Sequence, residues 1–156
     1  MILDERNEFA DATALNTGAA GTYNIGDVID TQGQAIGTAN LTRDIGLATD
    51  CLWLVIRVAT AATSGGSATG QFRLVSDDTA TPSTTTATVH YTSAAIPVAS
   101  LTAGATIAVI CLPSGSYERY LGIQQITGTA AFTAGAIDAF LTMDPIAWKA
   151  YADNVA

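Results

Sequence analysis

The feature that most constrains this chain is a series of short apolar runs, each closed by a strong backbone breaker. Residues 51–59 (CLWLVIRVA) and 105–112 (ATIAVICL) are apolar and β-branched on both faces. Residues 71–76 place Phe72 and Leu74 on one face and Gln71 and Arg73 on the other. Residues 86–92 set Ala87, Val89 and Tyr91 opposite Thr86, Thr88, His90 and Thr92. Residues 22–30, 119–126 and 133–143 complete the set. Between them stand Ser64-Gly65-Gly66-Ser67, Asp77 to Pro82, Pro113-Ser114-Gly115-Ser116 and Thr127-Gly128-Thr129. Period-two alternation bounded by such breakers specifies strands. No middle run of ten residues carries a 3.6-residue period. The pattern predicts an all-β chain, a jelly-roll-like β-sandwich of about seven or eight strands.

The ends differ from the middle. Residues 1–20 read as an N-terminal arm, acidic at Asp4, Glu5, Glu8 and Asp11, with Leu3 and Phe9 as apolar anchors. Residues 21–143 form the sandwich. Residues 144–156 form a short helical or extended tail, where Asp144-Pro145 makes a helix start and Trp148 and Tyr151 share one face. At 156 residues the chain fills one domain and needs no metal or disulfide to fold. Cys51 and Cys111 lie 60 apart in apolar runs and read as buried small hydrophobes; a bridge requires neighbouring strands, and cytosolic synthesis argues against it.

Charge excludes several functions. Six Lys+Arg face fourteen Asp+Glu for a net charge of −8, and there is a single Lys. A sequence-independent nucleic-acid binder needs a basic face, and a polybasic membrane-surface protein needs a basic cluster. No apolar run reaches eighteen residues, and the first residues lack the pattern of a signal peptide, so synthesis and use without general export are expected.

Catalytic signatures are missing. His90 is the one histidine and falls on the Thr face of its strand, an exposed or interface position. There is no G-x-S-x-G elbow, H-E-x-x-H, phosphate loop or dinucleotide fingerprint. Gly65-Gly66 reads as a turn, and Asp77-Asp78 as side chains that satisfy turn amides rather than a calcium site. Arg43-Asp44 reads as a loop ion pair, worth little where exposed and able to fix orientation at an interface. Trp148 is the one candidate platform for a sugar. A surface-presenting structural protein is expected, with a carbohydrate-binding module as the alternative and a hydrolase using His90 or Asp as a third reading.

The order of motifs resembles the small capsid cement (decoration) proteins of tailed phages. It is carried by Met1-Ile2-Leu3-Asp4, Asn7 to Ala12, Asn24 to Asp30, Arg43-Asp44-Ile45-Gly46, Leu52 to Val58 and Gln71 to Asp78. Downstream, Leu101 to Ala105, Leu112 to Gly115, Arg119 to Ile123, Phe132 to Ile137 and Trp148 to Asp153 continue it. A stretch at 31–42 (TQGQAIGTANLT) departs from the family pattern. The resemblance implies a jelly-roll protein, often dimeric, on the outer capsid surface of the virion after synthesis in the host cytoplasm. Its partners are then the major capsid protein and itself, as a dimer ahead of a trimer, with no nucleic acid, membrane, metal or cofactor. Leu3, Asp4, Phe9, Arg43, Asp44, Trp148 and Tyr151 are the expected contact residues.

Overall fold

The computed structural model describes residues 5–31 and 51–145. Nine strands lie among them: β1 (Glu8–Ala14), β2 (Gly21–Asp30), β3 (Trp53–Thr63), β4 (Thr69–Asp77), β5 (Thr88–Thr92), β6 (Ile96–Pro97), β7 (Thr106–Cys111), β8 (Tyr120–Gly128) and β9 (Ala134–Thr142). They form two antiparallel sheets. Sheet A has the order β1-β9-β3-β7, and sheet B the order β2-β8-β4-β5 with β6 beside β4. Each of the seven strands expected from alternation is present. The two sheets face each other as a β-sandwich.

Alternation decides what lies between them. On β3, Leu54, Ile56 and Val58 point into the core; on β4 Phe72 and Leu74 do; on β8 Leu121 and Ile123 do. Trp53 is half-buried, because its neighbour Leu54 takes the inner face. Val55 on the outer face is buried as well, between Phe140 of β9 and Val109 of β7 in register. Arg57 follows on that face opposite Asp138, and its Nε has no hydrogen-bond partner.

The arm reading of residues 1–20 needs correction. Residues 8–14 pair with β9, and Phe9 is fully buried in the core. Phe9 is therefore no free anchor for a partner. The acidic composition concealed a strand whose register slips twice, which breaks simple alternation. Backbone geometry closes this corner. Gly26 on β2 has φ +73°, and a Cβ there would stand 1.9 Å from the Phe9 carbonyl oxygen. Only glycine permits both that conformation and that approach. Beyond β1, the buried Gln125 amide reads the backbone of Asn16: Asn16 N–H donates to Oε1 at 2.9 Å, and Nε2 donates to the Asn16 carbonyl at 3.0 Å.

The cysteine reading is also corrected. Cys51 and Cys111 form a disulfide with a Cα separation of 5.5 Å. The cause is register: Trp53 pairs with Cys111, and Leu112 N–H donates to the Leu52 carbonyl, so the two cysteines meet at the end of the β3–β7 ladder. Leu3, Asp4, Arg43, Asp44, Trp148 and Tyr151 lie outside the described residues, as does the helical reading of the tail beyond Pro145.

Three perturbations probe this packing. Phe9→Ala should cost about 3–5 kcal/mol, lowering the melting temperature by about 6–20 °C for a domain of this size. Removal of residues 1–11 should destabilise the sandwich at least as much, as read by calorimetry. The disulfide closes a loop of 60 residues, which constrains the unfolded chain by about 4 kcal/mol. Reduction should therefore lower the melting temperature by about 8–16 °C; an unchanged transition would mean the thiols are not joined.

Candidate functional site

Connectivity sorts the loops onto two ends of the sandwich. Glu8 aligns with Phe140, Trp53 with Thr142 and Cys111, and both Asp30 and Asp77 with Tyr120. One end therefore carries the β4–β5 connection (78–87) and the β7–β8 connection (112–119). The same end holds the residues that flank the expected contact segments: Glu5–Asn7 before β1, Thr31 and Cys51 around 32–50, and Met143 to Pro145 after β9. Leu3 and Asp4, Arg43 and Asp44, and Trp148 and Tyr151 thus all attach to the chain at one end. Met143 there is 69% exposed.

The β4–β5 connection does not project. It lies on the outer face of sheet B, over a row of polar side chains set by register. Asn24, Gln124 and Arg73 stand side by side on β2, β8 and β4. Arg73 Nε donates to Gln124 Oε1 at 2.8 Å, and Gln124 Nε2 donates to Asn24 Oδ1 at 2.8 Å. The row then holds the loop by its carbonyls. Asn24 Nδ2 donates to Pro82 O, Gln124 Nε2 to Ser83 O and Arg73 NH2 to Thr84 O. Gly122 leaves room for Pro82, whose Cγ would lie 3.2 Å from a Cβ there.

Asp77 shapes the start of that loop, as the turn reading anticipated. Its Oδ1 accepts from Thr79 N–H at 3.0 Å and its Oδ2 from Ser83 N–H at 2.8 Å. These amide bonds, that from Ser83 foremost, hold its carboxyl below the ordinary carboxylate value.

Below the loop, a β-bulge aims the histidine. Leu74 pairs with Tyr91 and the adjacent Val75 with Val89, leaving His90 as the extra residue on β5. The bulge turns His90 out of strict alternation and onto Ser76, with Nε2 2.8 Å from Oγ. Ser76 Oγ also donates to Glu118 Oε2 at 3.1 Å and accepts from Glu118 N–H at 3.1 Å. The imidazole stacks on the buried Tyr117 ring, centroids 3.9 Å apart. Tyr117 in turn donates to Pro113 O at 2.6 Å. Burial pushes the His90 pKa down, and Glu118 opposes this in part.

The set contains serine, histidine and carboxylate, but not in the arrangement of an acyl-transfer triad. There the carboxylate orients the far nitrogen of the imidazole and the hydroxyl is open to substrate. Here the carboxylate binds the hydroxyl, and Ser76 is fully buried. What the geometry does is tie β4, β5 and the 112–119 segment together. On the rim beside it, Arg119 pairs with Asp30 through two bonds of 3.0 and 2.8 Å and lies over the Tyr120 ring. Among the described residues no cluster of three or more His, Cys, Asp or Glu side chains converges on a metal position.

Of the expected contact residues, only Phe9 falls among those described, and it belongs to the core. Ser76, Tyr117, Glu118, Gln124 and Arg119 were not singled out in the sequence. Their one signal is a polar or aromatic residue where apolar alternation is interrupted.

Fold and site together define an antiparallel two-sheet β-sandwich in which polar side chains of the strands fasten loops. A family model named Bbp16 matches residues 9–141, which is most of the chain, and the chain belongs to the Bbp16 family. No curated protein matches it.

The Asp77 turn generates a pH prediction. A carboxyl held below its unfolded value adds stability that is present above about pH 3.8 and is lost as pH falls through the folded value. Asp77→Asn should melt below the wild type at neutral pH. The difference should shrink in acid, once both side chains are uncharged, in a series of thermal scans from neutral pH downward.

Proposed function

We propose that this protein is a non-catalytic structural component of a virion, binding the outer surface of a phage capsid and cementing neighbouring major capsid subunits. The observation that carries the reading is the gathering of chain segments at one end of a rigid sandwich. The three segments that hold the expected contact residues all attach there, beside the Arg119–Asp30 rim. A sandwich whose described flanks of these segments meet at one pole suits a clamp, because contacts made there share one fixed origin.

The strand order supports a jelly roll. With the short β6 set aside, eight strands divide four and four, in the orders β1-β9-β3-β7 and β2-β8-β4-β5. Paired Greek keys of this kind form the double-sheet jelly rolls of capsid and lectin domains. Negative charge fits an external position, where DNA would otherwise compete for a basic surface. Repetition over a closed shell multiplies a modest contact energy through many simultaneous contacts. Outer-face Val109 on the edge strand β7 is 41% exposed and suits self-association, a dimer ahead of a trimer.

The test uses undecorated capsids and the purified protein. After sedimentation, densitometry should show hundreds of copies per particle, saturating at a fixed ratio to the major capsid protein, and decorated particles should lose DNA at a higher temperature. Absence of co-sedimentation, or a few copies per particle, would overturn the reading. Turnover of a sugar, ester or phosphate substrate that disappears in His90→Gln would overturn its non-catalytic part.

A further inference from the structure

His90 is the single histidine of the chain, and a bulge aims it at a buried serine. We propose that His90 is an acid-sensitive clasp, holding the 112–119 segment against the β4–β5 edge and loosening it when the ring takes up a proton. The clasp concerns the fold of this end and does not depend on what the end binds.

One hydrogen atom fixes how the ring is bound. Ser76 Oγ has three neighbours: Glu118 N–H, Glu118 Oε2 and His90 Nε2. Glu118 N–H can only donate and its carboxylate can only accept, so the hydroxyl proton goes to Glu118. His90 Nε2 must then be the N–H that donates to Ser76. That assigns the neutral ring a single tautomer and leaves Nδ1 as the atom that takes a proton. A proton there breaks no bond to Ser76, so its effect acts through charge.

Three elements face the ring. The 112–119 segment presents Tyr117, stacked on it, and Glu118; β4 presents Ser76; β5 itself carries Tyr91, the next residue along, packed against the core. The next acid along β4, Asp77, is turned into its own loop, and Arg119 is engaged with Asp30. Glu118 is therefore the one charged group of this set placed to favour an imidazolium. Burial against Tyr117 disfavours it, and burial is the larger effect.

The sign follows. The clasped state holds the ring neutral to a lower pH than water does, where an imidazole titrates near about 6.5. An opened segment exposes the ring and restores the ordinary value. Opening therefore becomes easier as pH falls from about 6.5 toward the clasped value, and levels off below it. Tyr117 would move with Glu118, because both belong to the segment that the ring contacts.

A single histidine makes the titration unambiguous. The imidazole C2 proton resonance of the intact protein should titrate with a midpoint below about 6.5. In Glu118→Gln the midpoint should fall further, because the favouring charge is gone. Amide exchange, corrected for its intrinsic pH dependence, should show several-fold lower protection across 112–119 at about pH 5.5 than at about pH 7.5. The 129–133 connection at the opposite end should not change. In His90→Gln, protection of 112–119 should lose this pH dependence. A wild-type midpoint at or above the ordinary value would overturn the clasp, and so would acid loosening that persists in His90→Gln. The wild-type and Glu118→Gln titrations decide the matter even if the His90 variant folds poorly.

Discussion

The structure depends on one apolar layer between two sheets that share a single winding chain. β1, β3, β7 and β9 lie in sheet A, while β2, β4, β5 and β8 lie in sheet B. Apart from the passage through β5 and β6, consecutive strands change sheet. No sheet can assemble from a continuous stretch of chain. The layer of Phe9, Leu54, Ile56, Phe72, Leu74, Leu121, Ile123, Phe132 and Ile137 must form for either sheet to keep its order. Burial of such side chains contributes about 1.5–3 kcal/mol each before the conformational entropy of the chain is set against it.

Buried polar groups add specificity to that layer. An unsatisfied buried amide costs more than a hydrogen bond gains, so each must be placed with its partners. Gln125 meets the Asn16 backbone at both ends of its amide and so fixes the β1–β2 connection. Gln124 sits between Asn24 and Arg73 and supports the loop above it. Ser76 does the same for the 112–119 segment. In each case a side chain in a strand fastens backbone that has no strand of its own. The result is that three loops are held by side chains of the strands beneath them.

That arrangement bears on the proposed clamp in a particular way. A clamp gains little from flexible attachment points, because ordering them costs conformational entropy at the moment of binding. Here the attachment points are held beforehand: by the Cys51–Cys111 bridge at the start of β3, by the Asp30–Arg119 pair at the end of β2, and by pairing of β9 with β1 and β3. The proposed acid-sensitive element is one small polar cluster around His90, where burial disfavours the charged ring more than Glu118 favours it.

Alternation alone was enough to locate seven strands and to turn Phe72 and Leu74 of β4 inward, because period-two burial is written into consecutive side chains. Gly/Ser/Thr/Pro breakers located the loops for the same local reason, and Asp77 announced its own turn. Net charge likewise needs no fold to be counted, and it carries the expectation that there is no basic nucleic-acid face. Pairing was not local. That Phe9 enters the core, that Cys51 meets Cys111, and that Gln124 and Gln125 are fully buried depend on which distant strands lie side by side. His90 shows the limit most sharply. Strict alternation places it on the Thr face, away from Tyr91, whereas one extra residue in the β5 ladder turns it onto Ser76 and Tyr117. A bulge is set by the register of two strands against each other, so only the tertiary structure could decide where the one histidine points.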